Sequence, residues 1–266
     1  MVEDGPDEAA RYRVQAVAKA LSLLDAFAAP PHAFTLTELS RRSGLSPNQT
    51  FRLLQTLVAA RFVAHEPETR RYRLGLHLFR LASAARNSDP LLLAAGPVLD
   101  WARDASGETV NLVVKDGEDG AVAVATRGSA QALSARAARG AWQPLHAGAS
   151  PKLLLALRDD DAIARYLAAH RPLPRYTPFT ITDENALWAE LRRTRERGHA
   201  VSEQENQLGA CAVAAPIYDR RGTLVGAVSI TAPTARFTPA DRERDLAVAV
   251  EAARRLGAHL ESYPAP

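Results

Sequence analysis

A single cysteine, Cys211, stands in 266 residues, so the chain can build neither an internal disulfide nor a cysteine-rich zinc site. Long apolar runs are missing as well. No stretch approaches the ~18 uninterrupted apolar residues of a membrane span, and the best candidate, LLLAAGPVLDWA, is broken by Pro97 and Asp100. The opening MVEDGPDEAA is acidic where a secretory signal is basic and then apolar, which predicts a disordered acidic tail over 1–10 and a cytoplasmic protein. There is no phosphate-cradling glycine loop, no histidine pair at metal spacing and no nucleophile elbow. His146 lies beside Leu145 and reads as a hydrogen-bonded structural residue rather than a base. Asp159, Asp160 and Asp161 open a helix, where acids complement the dipole. No catalytic residue, metal or cofactor is expected, and no internal repeat is visible.

What is present is 47% apolar residues, ample for real cores in one large or two ordinary domains. The net charge of +3 is unevenly spread. Residues 1–10 hold four acids and no base, residues 11–75 hold ten bases against four acids, and the remainder is nearly balanced. A basic N-terminal segment hints at a polyanionic partner. Thirty arginines against three lysines also fit coding bias, which would scatter arginines without function.

The pattern in that basic segment is more specific than its charge. Val14 to Ala28 places Val17, Leu21, Leu24 and Ala28 at helical spacing before Pro30-Pro31. TLTELSRRSG offers Thr35 or Thr37 as a cap and Gly44 as a left-handed stop. Ser46-Pro47 is a strong helix start, and the helix it opens runs to about Ala60. On a wheel, Asn48, Gln49, Arg52, Gln55, Thr56 and Ala59 fall on one flank, and Thr50, Phe51, Leu53, Leu54, Leu57 and Val58 on the other. FVAHEPETRRYRLG then alternates around a turn as a β-hairpin.

Two short helices joined by a tight turn and followed by a basic hairpin form a winged helix-turn-helix, whose second helix enters the major groove. Asn and Gln can pair with adenine and Arg with guanine. Hairpin arginines, Arg73 included, hold phosphates or the minor groove. The candidate DNA contacts are Thr37, Ser46, Asn48, Gln49, Thr50, Arg52, Gln55, Arg70 and Arg71.

Beyond this segment, Leu76 to Ala85 resumes helical period as a linker. Further helices and two hairpins, around 116–120 and 219–222, predict an α+β domain with a mainly antiparallel sheet rather than a doubly wound one. The expected domains are 11–75 for DNA binding, 76–90 for the linker helix and 91–266 for effector binding and oligomerisation.

In GASPKLLLAL, Ser150 can cap and Pro151 can occupy the first turn, which leaves either an ordinary capped helix or an N-terminus open to a carboxylate through Lys152 and Leu153 N–H groups. In GAVSIT, Ala227, Ser229 and Thr231 share a strand face, lining a cavity or facing water. Cys211 reads as buried packing that could also touch a ligand or sense oxidation.

The order VQAVAKALSLLDAF, LTELSRRSGLSPNQTFRLLQTLVAARFV, a hairpin ending YRLG, a linking helix and GHAVSEQENQLGACAVAAPIYDRRGTLVGAVSITAPTARF resembles the IclR family of bacterial transcriptional regulators over residues 14–260. The resemblance implies a dimer or tetramer that binds an operator in double-stranded DNA. It also implies a C-terminal domain similar to GAF sensor folds that binds a small organic acid. Gly148, Ala149, Ser202, Ala212, Ser229 and Thr231 fall where family members place ligand contacts, and Ser150 and Cys211 adjoin them. Three positions depart from the family pattern: Ser202 replaces a frequent acid, Ala212 a frequent cysteine, and Pro151 a usual glycine. An enzymatic domain on the same head, or an architectural DNA-binding oligomer without an effector, are the alternative readings.

Overall fold

The computed structural model describes residues 12–28, 30–135 and 140–261; the acidic tail expected over 1–10 lies outside them. The chain divides into two compact units, Met1–Arg86 and Asn87–Pro266.

The first unit runs α1 (Gln15–Asp25), β1 (Ala33–Thr35), α2 (Leu36–Ser43), α3 (Pro47–Ala59), β2 (Val63–Glu66), β3 (Arg71–Leu74) and α4 (His77–Ser88), the last of which crosses into the second unit. The starts are set locally. Thr35, not Thr37, caps α2: its hydroxyl accepts from the Glu38 N–H while Glu38 Oε2 accepts from the Thr35 N–H at 2.7 Å, a reciprocal box that stabilises by about 1 kcal/mol. Gly44 ends the helix at φ 68°. Ser46 accepts from the Gln49 N–H, and Pro47 fills the first position of α3.

The wing is a three-stranded antiparallel sheet in the order β1-β3-β2, one strand more than the predicted hairpin. Leu23, Phe27, Phe34, Leu39, Leu54, Leu57, Val63 and Tyr72 close the core. The expected first helix is present, and its burial selects one side. Against that core lie Leu23 of α1 and Phe27 just beyond its end, with Leu24 partly buried beside them, whereas Val17 and Leu21 are exposed. A helix apolar on most sides does not declare which stripe meets its own core.

The second unit contains α5 (Pro90–Ser106), β4 (Thr109–Asp116), β5 (Gly120–Arg127), β6 (Trp142–Pro144), α6 (Ala149–Ala156), α7 (Asp160–Ala169), α8 (Glu184–Arg197), β7 (Ala200–Glu203), β8 (Ala210–Tyr218), β9 (Leu224–Pro233), a 3-10 turn at Thr234–Arg236 and α9 (Pro239–Ala258). Its sheet is antiparallel throughout, in the order β6-β5-β4-β9-β8-β7. Strand alternation sorts side chains to two faces. Val110, Leu112, Val228 and Ile230 pack on α5 and α9. Val113, Ala214 and Ala227 pack beneath α6, α7 and α8. The fold is therefore α+β in both units.

Candidate nucleic-acid interface and ligand cavity

On α3 the burial pattern separates two flanks. Asn48, Gln49, Arg52, Gln55 and Thr56 are exposed, and Leu54 and Leu57 are buried. The side chains of Asn48, Gln49, Arg52 and Gln55 make no hydrogen bond to the described residues, and that leaves their donors and acceptors unspent. Two residues depart from expectation. Thr50 is 0% exposed, and its hydroxyl donates to the Ser46 carbonyl at 3.0 Å, so it is core and cannot reach a base. Phe51, assigned to the apolar flank, is 46% exposed. Thr37 and Ser46 lie at the surface, Ser46 with its hydroxyl oxygen committed to the cap.

The wing arginines also divide. Arg70 sits in the hairpin turn at φ 54° and is exposed. Arg71 donates to the Ala33 carbonyl at 2.8 Å and lies 3.6 Å from Glu38. Its guanidinium thus ties β3 to β1 and α2, with part of its donor set already spent within the fold. Arg73, two residues on, is exposed.

In the second unit, Gly148, Ala149, Ser150, Ser202, Cys211, Ala212, Ser229 and Thr231 line one cavity of about 340 Å³. The turn before α6 is what assembles it. Gly148 adopts φ 96°, a conformation that L side chains rarely take, and it serves as the N-cap. Ser150 is therefore not the cap. It sits inside the first turn, 3% exposed, with Oγ lacking any partner among the described residues. The Lys152 N–H is already given to the Gly148 carbonyl at 3.2 Å. The groups left open at this helix end are the N–H groups of Ala149 and Ser150, one turn earlier than expected.

Behind that turn lies a charge network that local patterning could not reveal. Lys152 is 1% exposed, and its Nζ donates to Glu205 Oε1 at 2.5 Å and to the Val201 carbonyl at 3.1 Å, with Glu190 3.6 Å away. The other Glu205 oxygen accepts from the Gly148 N–H at 3.2 Å. Burial pushes the Glu205 carboxyl above its usual range, only partly offset by Lys152 and the Gly148 N–H. Burial acts on Glu190 too, but Lys152, Arg197 and Arg193 outweigh it and hold that carboxyl low.

Sequence reasoning also missed Asn111, a cavity residue on β4; a lone Asn in a strand carries no local signal. Burial raises the Cys211 thiol, with Glu203 adding to it, which disfavours the reactive thiolate. His146 is fully buried. Its backbone N–H donates to the Tyr166 hydroxyl, which donates in turn to Nδ1 at 3.0 Å, while Nε2 donates to the Pro174 carbonyl at 2.9 Å. That pattern is a neutral structural histidine. Burial lowers its pKa, and it pushes the Tyr166 phenol up to about 12. Among the described residues no three His, Cys, Asp or Glu side chains are grouped to hold a metal, and no helix is long and apolar enough to cross a membrane.

Comparison with known proteins places both units. Residues 16–67 match the IclR helix-turn-helix domain, and residues 84–258 match the bacterial transcriptional regulator IclR C-terminal domain. The chain is 32% identical to the HTH-type transcriptional repressor AllR of Salmonella typhi over 84% of this chain and 82% of the relative. An IclR transcriptional regulator from Alicyclobacillus acidocaldarius superposes with a TM-score of 0.84 at 28% identity, over 93% of this chain and 99% of the other. An IclR homolog from Microbacterium hydrocarbonoxydans, crystallised with 4-hydroxybenzoate, shares the fold with a TM-score of 0.77 at 24% identity, over 92% and 99% of the two chains. The chain belongs to the IclR family of bacterial transcriptional regulators, with a DNA-binding helix-turn-helix unit and a C-terminal effector-binding unit.

Proposed function

We propose that this regulator reads its operator through Asn48, Gln49, Arg52 and Gln55 of α3, acting in the cytoplasm as a homodimer or a homotetramer, and that a small carboxylate in the cavity biases its arrangement. The supporting observation is the α3 flank itself: four side chains suited to base edges stand exposed and without intramolecular partners. Such groups inserted in the major groove pair with adenine or guanine, while Arg70 and Arg73 on the wing neutralise phosphates. Exposed Thr37 on α2, and the Ser46 hydroxyl proton left over once its oxygen has capped α3, serve as contacts to the DNA backbone.

The homo-oligomer is supported by the exposed Val14, Val17 and Leu21 on one side of α1, an apolar surface that a second copy would cover. Two heads fixed in one assembly then match two half-sites. The carboxylate is supported by the open N–H groups of Ala149 and Ser150 and the orphan Ser150 hydroxyl, which together favour an anion. An effector acts only through its differential affinity for two arrangements of the assembly. A thiol raised by burial at Cys211 and a fully bonded His146 support a binding role over a catalytic one.

The test is operator affinity in Arg52→Ala. It falls with folding and oligomeric state unchanged; equal affinity in variant and parent rejects the assignment.

A further inference from the structure

Of the large apolar side chains on α3, Leu54 and Leu57 are buried in the core of the first unit and Leu53 and Val58 pack against it, while Phe51 is left 46% exposed. Other rings of the unit are engaged: Phe27 faces Phe34, Phe62 meets His77 edge-on, and His65 stacks on Tyr72. Phe51 joins none of these pairs among the described residues. A single exposed ring is ordinary on a protein surface; the place of this one on the helix is not.

Residues three and four apart on a helix are surface neighbours, so Phe51 adjoins Asn48 on one side and Gln55 on the other. Both are exposed with uncommitted side chains. Phe51 is the fifth residue of α3, and the N-terminal part of a recognition helix is what meets base edges. A ring carried into the major groove between an Asn and a Gln offers no hydrogen bond there. What it can contact is the apolar group that a base edge presents in that groove, the 5-methyl of thymine.

We propose that Phe51 is a specificity-determining residue that reads thymine, its ring seated on the 5-methyl group of one thymine in each half-site, beside the bases paired with Asn48 and Gln55. The proposal rests on the reading of α3 as the helix that meets base edges. Burying one methyl group corresponds to about fourfold in affinity.

A methyl scan of the operator tests it. Duplexes of the sequence that the full chain selects from random DNA are made with each thymine in turn replaced by deoxyuridine, which keeps the hydrogen-bonding edge and lacks only the methyl. Binding is read by fluorescence anisotropy. In the parent, replacement of one thymine in each half-site weakens binding by about fourfold. Phe51→Ala binds the thymine duplex more weakly and no longer distinguishes it from the deoxyuridine duplex, and Phe51→Leu, which keeps an apolar side chain, retains part of the discrimination. Should Phe51→Ala fail to fold, the parent's scan and the reduced discrimination in Phe51→Leu decide. A parent indifferent to every thymine methyl, or a deoxyuridine penalty undiminished in Phe51→Ala, overturns the proposal. So does an altered oligomeric state in Phe51→Ala on size-exclusion chromatography, because the ring is then covered by protein. Each of these leaves base reading by Asn48 and Arg52 standing, since that is judged by the base preference lost in Arg52→Ala. If the parent selects no sequence from random duplexes, both readings fall together.

Discussion

Glu205 divides its carboxylate between the Lys152 ammonium, at 2.5 Å, and the Gly148 N–H, at 3.2 Å, so one buried acid holds both the helix that floors the ligand cavity and the turn that opens it. Removing only one charge strands the other. Glu205→Ala is expected to destabilise the protein by about 3 kcal/mol, read as a lower Tm, because Lys152 keeps just the Val201 carbonyl and a more distant Glu190. The double replacement Lys152→Met with Glu205→Leu recovers much of that loss. Equal stability in Glu205→Ala and the parent would show that the pair does not support the turn.

The two wing arginines separate a structural role from a DNA-facing one. Arg71→Ala lowers stability by about 1 kcal/mol through the lost bond to Ala33. Arg73→Ala leaves stability unchanged but weakens binding to every DNA sequence alike and reduces the slope of log affinity against log salt by about 1. Fluorescence anisotropy across a salt series, with thermal melts alongside, distinguishes the two.

His146 gives the protein an acid-side weakness. Burial lowers its pKa below the ordinary 6.5, with neighbouring His170 adding to the effect and the Pro174 carbonyl opposing it, so the unfolded chain takes up a proton that the folded chain refuses. Its contribution to stability is complete above 6.5 and is lost as the pH falls from there toward the folded value. Urea midpoints measured across that range decline toward acid in the parent and decline less in His146→Asn; parallel curves would remove His146 from the account.

In the cavity, Ser229→Ala combined with Thr231→Ala blunts the effector's influence on operator binding and spares binding in its absence. A gel-shift titration with and without the acid reads both quantities together. An unchanged response moves the effector site elsewhere.

The α3 flank was legible because its information is local: a Ser46-Pro47 start, a Gly44 stop and helical period fix which side chains face out. The cap before α6 was not legible for an equally local reason, since a glycine at positive φ can precede a helix as effectively as a serine caps one. The apolar surface of α1 was beyond sequence, because Val17 and Leu21 show the same period as a core stripe while Leu23 and Phe27 do the packing. The Lys152 and Glu205 pair, and the link from Thr126 through Asn111 to Thr231, join residues far apart in the chain and exist only once the sheet is assembled.

The central claim is that the exposed flank of α3 reads base edges, and selection of binding sites from random duplexes measures it most directly. Arg52→Ala is predicted to lose its base preference at one position in each half-site, while Arg73→Ala keeps the parent's sequence and binds it more weakly. A doubly substituted Asn48→Ala, Arg52→Ala protein that selects the parent's sequence with the parent's affinity would contradict the claim.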